Sequence, residues 1–112
     1  MISCEILKSI LDAIPYQIVF TDCDHIIRFM NKQAEIDFAD RNPSILNRSL
    51  LEYHNENSNK MILGFMEHFR SEGGELFEKV NDKNQKVYIT PIGNEGGNLL
   101  GYFERYESNI SM

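Results

Sequence analysis

The chain reads as an α+β fold: a five-stranded antiparallel sheet with helices packed on one face and an amphipathic helix at the N-terminus. Three observations predict this. Strand-like segments gather at two places instead of alternating with helices. The middle third changes to a helical period. A two-stranded hairpin alone is barely stable in water, so the first strand pair must join the last three strands in one sheet. At 112 residues the sequence makes one domain, 1–112, with a helix at 1–14 and a core at 16–107.

Ile2, Ile6, Leu7, Ile10, Leu11 and Ile14 recur at helical spacing, Ser3 can cap the start, and Pro15 forbids continuation. Gln17–Thr21 and His25–Met30 are β-branched and aromatic runs joined by Asp22-Cys23-Asp24, a hairpin with a short acidic turn. Asn31 caps a short helix with Ala34, Ile36 and Phe38 as its apolar positions, and Asn42-Pro43 starts another short helical piece through Ile45 and Leu46. Asn55 to Ser58 offers caps for a longer helix whose apolar face is Met61, Ile62, Phe65, Met66 and Phe69, ended by Gly73-Gly74. Glu75–Val80, Gln85–Ile92 and Leu99–Glu107 then form a meander across turns rich in Asn and Gly. Helices across one sheet face enclose the aromatic residues and leave a pocket beneath them.

Composition narrows the function classes. Apolar residues make up 42% and charged residues 25%, ordinary for a globular chain. Eleven Lys and Arg against seventeen Asp and Glu give a net charge of −6, which repels phosphate backbones and disfavours nucleic acid as a partner. No apolar run is long enough to span a bilayer, and Glu5 and Lys8 interrupt any signal-peptide pattern in Met1–Ile10. A cytoplasmic location is expected, without a membrane partner. Cys4 and Cys23 lack Cys-x-x-Cys spacing and read as free packing thiols, and the sequons at Asn47 and Asn109 have no meaning there.

The run Ile18-Val19-Phe20-Thr21-Asp22, followed by Ile26-Ile27-Arg28-Phe29-Met30-Asn31-Lys32-Gln33-Ala34, resembles the opening signature of the PAS domain, and Gly101-Tyr102-Phe103-Glu104-Arg105 is similar to its final strand. The resemblance extends over residues 5 to 107. Residues Asn47 to Ser58, with the step His54-Asn55-Glu56, resemble a bacterial PAS subgroup that includes small stand-alone proteins. That subgroup usually has Gly at the position of Asn47 and often Cys at that of Tyr53. The resemblance implies a sensor or interaction module that binds haem, flavin or a small metabolite between sheet and helices, or that binds nothing and dimerises. The fold alone does not select among these.

On this reading the pocket is lined by Phe20, Phe29, Phe38, Met61, Phe65 and Val87, with Tyr53 and His54 as the polar groups that orient a ligand. His54 is the sharpest single candidate: a neutral imidazole beside the pocket can ligate haem iron, which gives the alternative of a gas or redox sensor, whereas the plainer role is a loop hydrogen bond. Met61 and Met66 could offer a second axial sulfur, but their spacing makes them core. His68 sits at the border of the apolar stripe and His25 beside a turn, both reading as surface residues, and no metal-site spacing appears.

Enzyme readings fare poorly. No Gly-x-Ser-x-Gly, Walker loop, dinucleotide fingerprint or His-Glu-x-x-His is present, and Asp22 with Asp24 reads as turn chemistry. The reactive-cysteine motif of flavin photosensors is also missing. In the last strand, alternation puts Leu100, Tyr102, Glu104 and Tyr106 on one face and Leu99, Gly101, Phe103 and Arg105 on the other. Both faces hold large apolar groups, so the outer one needs a cover, which predicts a homodimer assisted by Ile6, Ile10 and Leu11. The leading expectation is a non-catalytic regulatory module that binds a small ligand or a signalling protein, with a ligand-free dimerisation module as a further alternative.

Overall fold

The computed structural model describes residues 2–41 and 43–108. Helix α1 is Cys4–Asp12. Ser3 Oγ accepts from the backbone N–H of Ile6, and the helix stops before Pro15, whose ring disfavours α geometry in the residue ahead of it. None of its residues is buried. Strands β1 (Val19–Asp22) and β2 (Ile27–Met30) form the first hairpin. Helix α2 is Lys32–Asp37, a 3-10 turn spans Leu50–Tyr53, and helix α3 is Glu56–Ser71 with Asn55 as its N-cap. Strands β3 (Leu76–Val80), β4 (Gln85–Gly93) and β5 (Leu99–Ser108) complete the chain. Among the described residues no helix is long and apolar enough to cross a membrane.

The five strands form one antiparallel sheet in the order β2-β1-β5-β4-β3. The last strand is therefore central, with β1 on one side and β4 on the other. Gly101 permits this. It pairs with Asp22, and a Cβ at that position would collide with the backbone oxygen of Thr21.

Two apolar clusters lie under the inner face of the sheet. One joins Ile62, Phe65, Met66 and Phe69 of α3 to Ile89 and Tyr102; the Phe65 and Tyr102 rings meet edge to face at 5.5 Å. The other joins Ile27, Met30, Ala34 and Ile45. Full burial of a large apolar side chain contributes about 1.5–3 kcal/mol, so the four buried positions of α3 fix its orientation. Of the apolar positions expected to pack on α2 and α3, Met61 at 55% and Ile36 at 59% are exposed instead.

Asn31 ties the N-terminal third together. Fully buried, its Oδ1 accepts from the N–H groups of Ile18 and Ala34, and its Nδ2 donates to the carbonyls of Leu11 and Tyr16. One side chain thus caps α2, receives the end of α1 and sets the start of β1.

Several expectations need correction. Residues 43–46 form bends and a turn, not a helix, and Asn42 lies outside the described residues, as do Met1 and Asn109. The reason is the free edge of β2. Ile27 donates to the Arg48 carbonyl, Asn47 donates to the Ile27 carbonyl, and Leu50 donates to the His25 carbonyl. The segment covers an edge that would otherwise stay unpaired, and a single helical turn is a costly nucleus with nothing comparable to gain. Asn47 makes this path at φ 63, the left-handed conformation that Asn tolerates and Gly adopts freely.

His25 is not on the surface. It adopts φ 65, is 7% exposed, and its Nδ1 lies 2.9 Å from the Tyr102 hydroxyl. The Asp22–His25 turn, closed by His25 N–H donating to the Asp22 carbonyl, needs a left-handed residue at its end and so swings the ring inward.

Bulges also break the alternation that the sequence suggests, two of them beside β1 and at the start of β5. Phe20 pairs with Phe29 and Thr21 with Ile27, leaving Arg28 as an extra residue. Ile92 pairs with Gly101 and Gly93 with Leu99, leaving Leu100 as another. Leu99 consequently packs against the α3 cluster, while Leu100 is 44% exposed and does not share the face of Tyr102.

Asn31→Ala removes an N-cap contribution of about 0.5–2 kcal/mol and strands buried backbone groups at about 1–3 kcal/mol each. The expected loss in urea denaturation is at least about 3 kcal/mol. A loss under about 1 kcal/mol would show that the four bonds are dispensable.

Candidate ligand cavity

Between the inner sheet face and α3 lies a cavity of about 330 Å³, at the small end of the range of about 300–1,000 Å³ usual for small-molecule sites. Val19 and Thr21 of β1, Ile27 of β2, Ile89 of β4 and Tyr102 of β5 form its floor, and Met61, Ile62 and Phe65 of α3 form its roof. The connection from α2 to α3 supplies Phe38, Arg41, Ile45, Leu50, Tyr53 and His54. The remaining wall is polar and includes Gln17, Glu78, Lys79, Glu104 and Tyr106.

Of the eight residues that the sequence nominates, Phe38, Tyr53, His54, Met61 and Phe65 line this cavity, and Phe20, Phe29 and Val87 do not. The extra residue Arg28 keeps Phe20 and Phe29 together as a cross-strand pair while Thr21 and Ile27 take the cavity side. Val87 is buried but lines a neighbouring polar cleft with Tyr16, Asp82 and Gln85. Met61, expected in the core, stands at the cavity mouth. Gln17, Glu78 and Glu104 were not anticipated. For Glu104 a signal existed, since alternation places it between Tyr102 and Tyr106 on one face; for Glu78 the bulge that redirects it leaves no mark in the sequence.

The polar groups near the floor have defined partners. Asp22 Oδ1 accepts from the N–H groups of Asp24 and Ile26, and its Oδ2 is 2.8 Å from Arg28 Nε. Burial alone would raise the Asp22 carboxyl, but the Arg28 and backbone hydrogen bonds bring it below its ordinary value. Tyr102 is pushed up by burial first and by the Glu104 carboxylate second. On the outer face Arg105 stacks over the Tyr88 ring at 4.4 Å and grips Glu75 with two bonds of 2.8 Å. The Arg105 and Thr90 hydrogen bonds lower the Glu75 carboxyl to about 2.

The residues do not fit a haem. The cavity is small for a macrocycle, its polar wall presents carboxylates where a porphyrin needs an apolar slot, and His54 is an exposed residue at the end of the 3-10 turn. Among the described residues no three His, Cys, Asp or Glu side chains gather in a metal-binding group. Cys4 and Cys23 are both free thiols, and Cys23 donates to the Leu99 carbonyl.

The five-stranded antiparallel sheet, the long helix that roofs it and the cavity between them are the architecture that the sequence resemblance implies. The sequence profile of the PAS domain matches residues 7–106, so the chain belongs to the PAS domain family. Its fold is similar to a C-terminal domain from Streptococcus mutans, at TM-score 0.69 and 22% identity, covering 96% of this chain and 85% of that one. It is similar also to the PAS domain of Bordetella pertussis BvgS, at TM-score 0.64 and 18% identity, with 96% and 86% covered. A third similar structure is a sensory box sensor histidine kinase from Vibrio cholerae, at TM-score 0.62 and 15% identity, with 92% and 88% covered. No curated protein matches the sequence.

Burial lowers the pKa of His25 below its ordinary 6.5, with Asp22 and Asp24 opposing. The folded state therefore favours the neutral ring. The associated stability is present above 6.5 and is lost as pH falls through the lower folded value. In an NMR titration His25 should titrate with a midpoint below 6.5, and a midpoint above that value would contradict the buried Tyr102 contact.

Proposed function

We propose that this PAS domain is a non-catalytic sensory module in which a small ligand, held between α3 and the sheet, sets the affinity of an exposed surface for a signalling protein. The observation that carries this reading is the cavity itself. Protein interiors are packed to crystal-like density with few voids larger than a water molecule, so about 330 Å³ of space bounded by Ile27, Ile62, Phe65 and Ile89 is a feature that a purely structural core would have closed. A ligand shifts such a module only through different affinities for two conformations, and α3, which forms both the cavity roof and a solvent-facing surface, is the element placed to respond.

Native mass spectrometry of protein taken directly from cells tests the reading. The expected spectrum contains a non-covalent adduct that disappears under denaturing conditions. A bare polypeptide mass in every preparation would overturn it.

Another exposed surface suits a second copy of the chain. Ile2, Ile6, Leu7 and Ile10 of the N-terminal segment are each about half exposed, a denser run of apolar groups than a solvated helix needs, and Phe77, Val80 and Leu100 are exposed on the strands. Sedimentation at micromolar concentration is expected to give a dimer that Ile6→Glu together with Ile10→Glu converts to a monomer. A monomeric parent chain would refute the homodimer.

A further inference from the structure

Several hydrogen-bond acceptors gather on the polar wall of the cavity. Gln17 Nε2 donates to the Tyr106 hydroxyl at 3.0 Å, and that hydroxyl donates its only proton to Glu104 Oε2 at 2.7 Å. Two acceptors on the same wall are left over. Gln17 Oε1 and Glu78 Oε2 each expose less than 1 Å² and have no hydrogen-bond partner. Among the described residues only one other buried side-chain atom, Asn59 Oδ1, is in that condition. Buried polar atoms are almost always satisfied in native proteins, and an exception calls for an explanation such as a ligand or an ion.

Glu78 reaches this wall through a specific backbone device. Phe77 pairs with Tyr88 and Lys79 with Val87, so Glu78 is an extra residue in β3. Glu78 and Lys79 are consecutive and an unbroken strand would send them to opposite faces, yet both line the cavity. Bulges are over-represented beside functional sites, where they re-aim side chains. Here the re-aimed group is a carboxylate, and it is brought next to a second one.

The charges agree with the geometry. Burial first, then the Glu104 charge and a hydrogen bond between the two carboxyl groups, push the Glu78 carboxyl above its ordinary value, and Lys79 offsets this in part, while Glu78 Oε2 stays without a partner. Lys79 is exposed, and among the described residues it forms no ion pair with either carboxylate. Arg41, the lining guanidinium, is stationed over the Tyr53 ring at 5.7 Å. The protein brings two carboxylates and an amide carbonyl together without supplying a cation between them.

Resting on the reading of the cavity as a ligand site, we propose that its ligand is a small amphipathic cation, with a primary ammonium or similar N–H⁺ group seated among Glu78, Glu104 and the Gln17 carbonyl. The apolar part of the ligand lies along Ile27, Ile62 and Phe65. One such group donates to the two orphaned oxygens and offsets the repulsion between the two carboxylates, which no anionic or purely apolar ligand does.

Three probes of equal length, n-hexylammonium, n-hexanol and n-hexanoate, separate the ideas when titrated into the ¹⁵N-labelled full chain at neutral pH. The expected result is saturable shifts at cavity residues with hexylammonium, at an affinity at least tenfold above that of the other two. Glu78→Gln, which keeps shape and removes the charge, is expected to weaken hexylammonium at least tenfold and to leave hexanol unchanged. Equal or stronger binding of hexanol or hexanoate would overturn the cationic ligand while leaving the cavity a ligand site. Absence of binding by all three would also overturn it, and the adduct seen or not seen in native mass spectrometry then decides separately whether the cavity takes any ligand. Should Glu78→Gln fail to fold, the ranking of the three probes on the unmodified chain decides the matter alone.

Discussion

The fold depends on one buried amide. Asn31 satisfies two backbone donors and two backbone carbonyls, and those groups belong to the end of α1, the approach to β1 and the first turn of α2. An amide is the side chain suited to the place, because it offers acceptor and donors a short distance apart without carrying charge. A carboxylate would keep the cap but bury a charge beside the Leu11 and Tyr16 carbonyls, and a hydrophobic residue would leave four backbone groups without this partner, the N–H groups of Ile18 and Ala34 among them buried. The first hairpin holds its place against the rest of the sheet because its flanks are bound to this side chain.

The cavity depends on a different constraint, the strand phase. A single extra residue exchanges the two faces of a strand from that point onward, and the sheet contains three such places, at Arg28, Glu78 and Leu100. The first keeps Phe20 and Phe29 off the cavity, the second brings in a carboxylate, and the third turns Leu99 toward α3. Apolar walls and a polar corner arise from where the pairing slips as much as from which residues are present.

This accounts for what the sequence did and did not disclose. Caps were legible because their chemistry is local: Ser3, Asn31 and Asn55 each accept from an N–H three residues ahead. The α3 stripe was legible because Ile62, Phe65, Met66 and Phe69 follow one period over two turns. Cavity residues contributed by helices and by the 3-10 region were likewise within reach, as Phe38, Tyr53, His54, Met61 and Phe65 illustrate. Those on strands were not, since bulges are set by pairing with segments far away in the chain. The same holds for 43–50, where an edge of β2 decided the conformation, and for His25, whose ring position follows from a left-handed turn residue that composition does not reveal.

The central place of β5 also shapes how the molecule comes into being. Thr21 pairs with Tyr102 and Asp22 with Gly101, so the seam that unites the hairpin with the meander joins segments from nearly opposite parts of the sequence. Closing so long a stretch of polypeptide costs entropy before any contact rewards it, and high contact order slows folding. During synthesis the hairpin and its Asn31 anchor leave the ribosome long before their neighbour exists, with one hydrogen-bonding edge of β1 open until the final strand arrives.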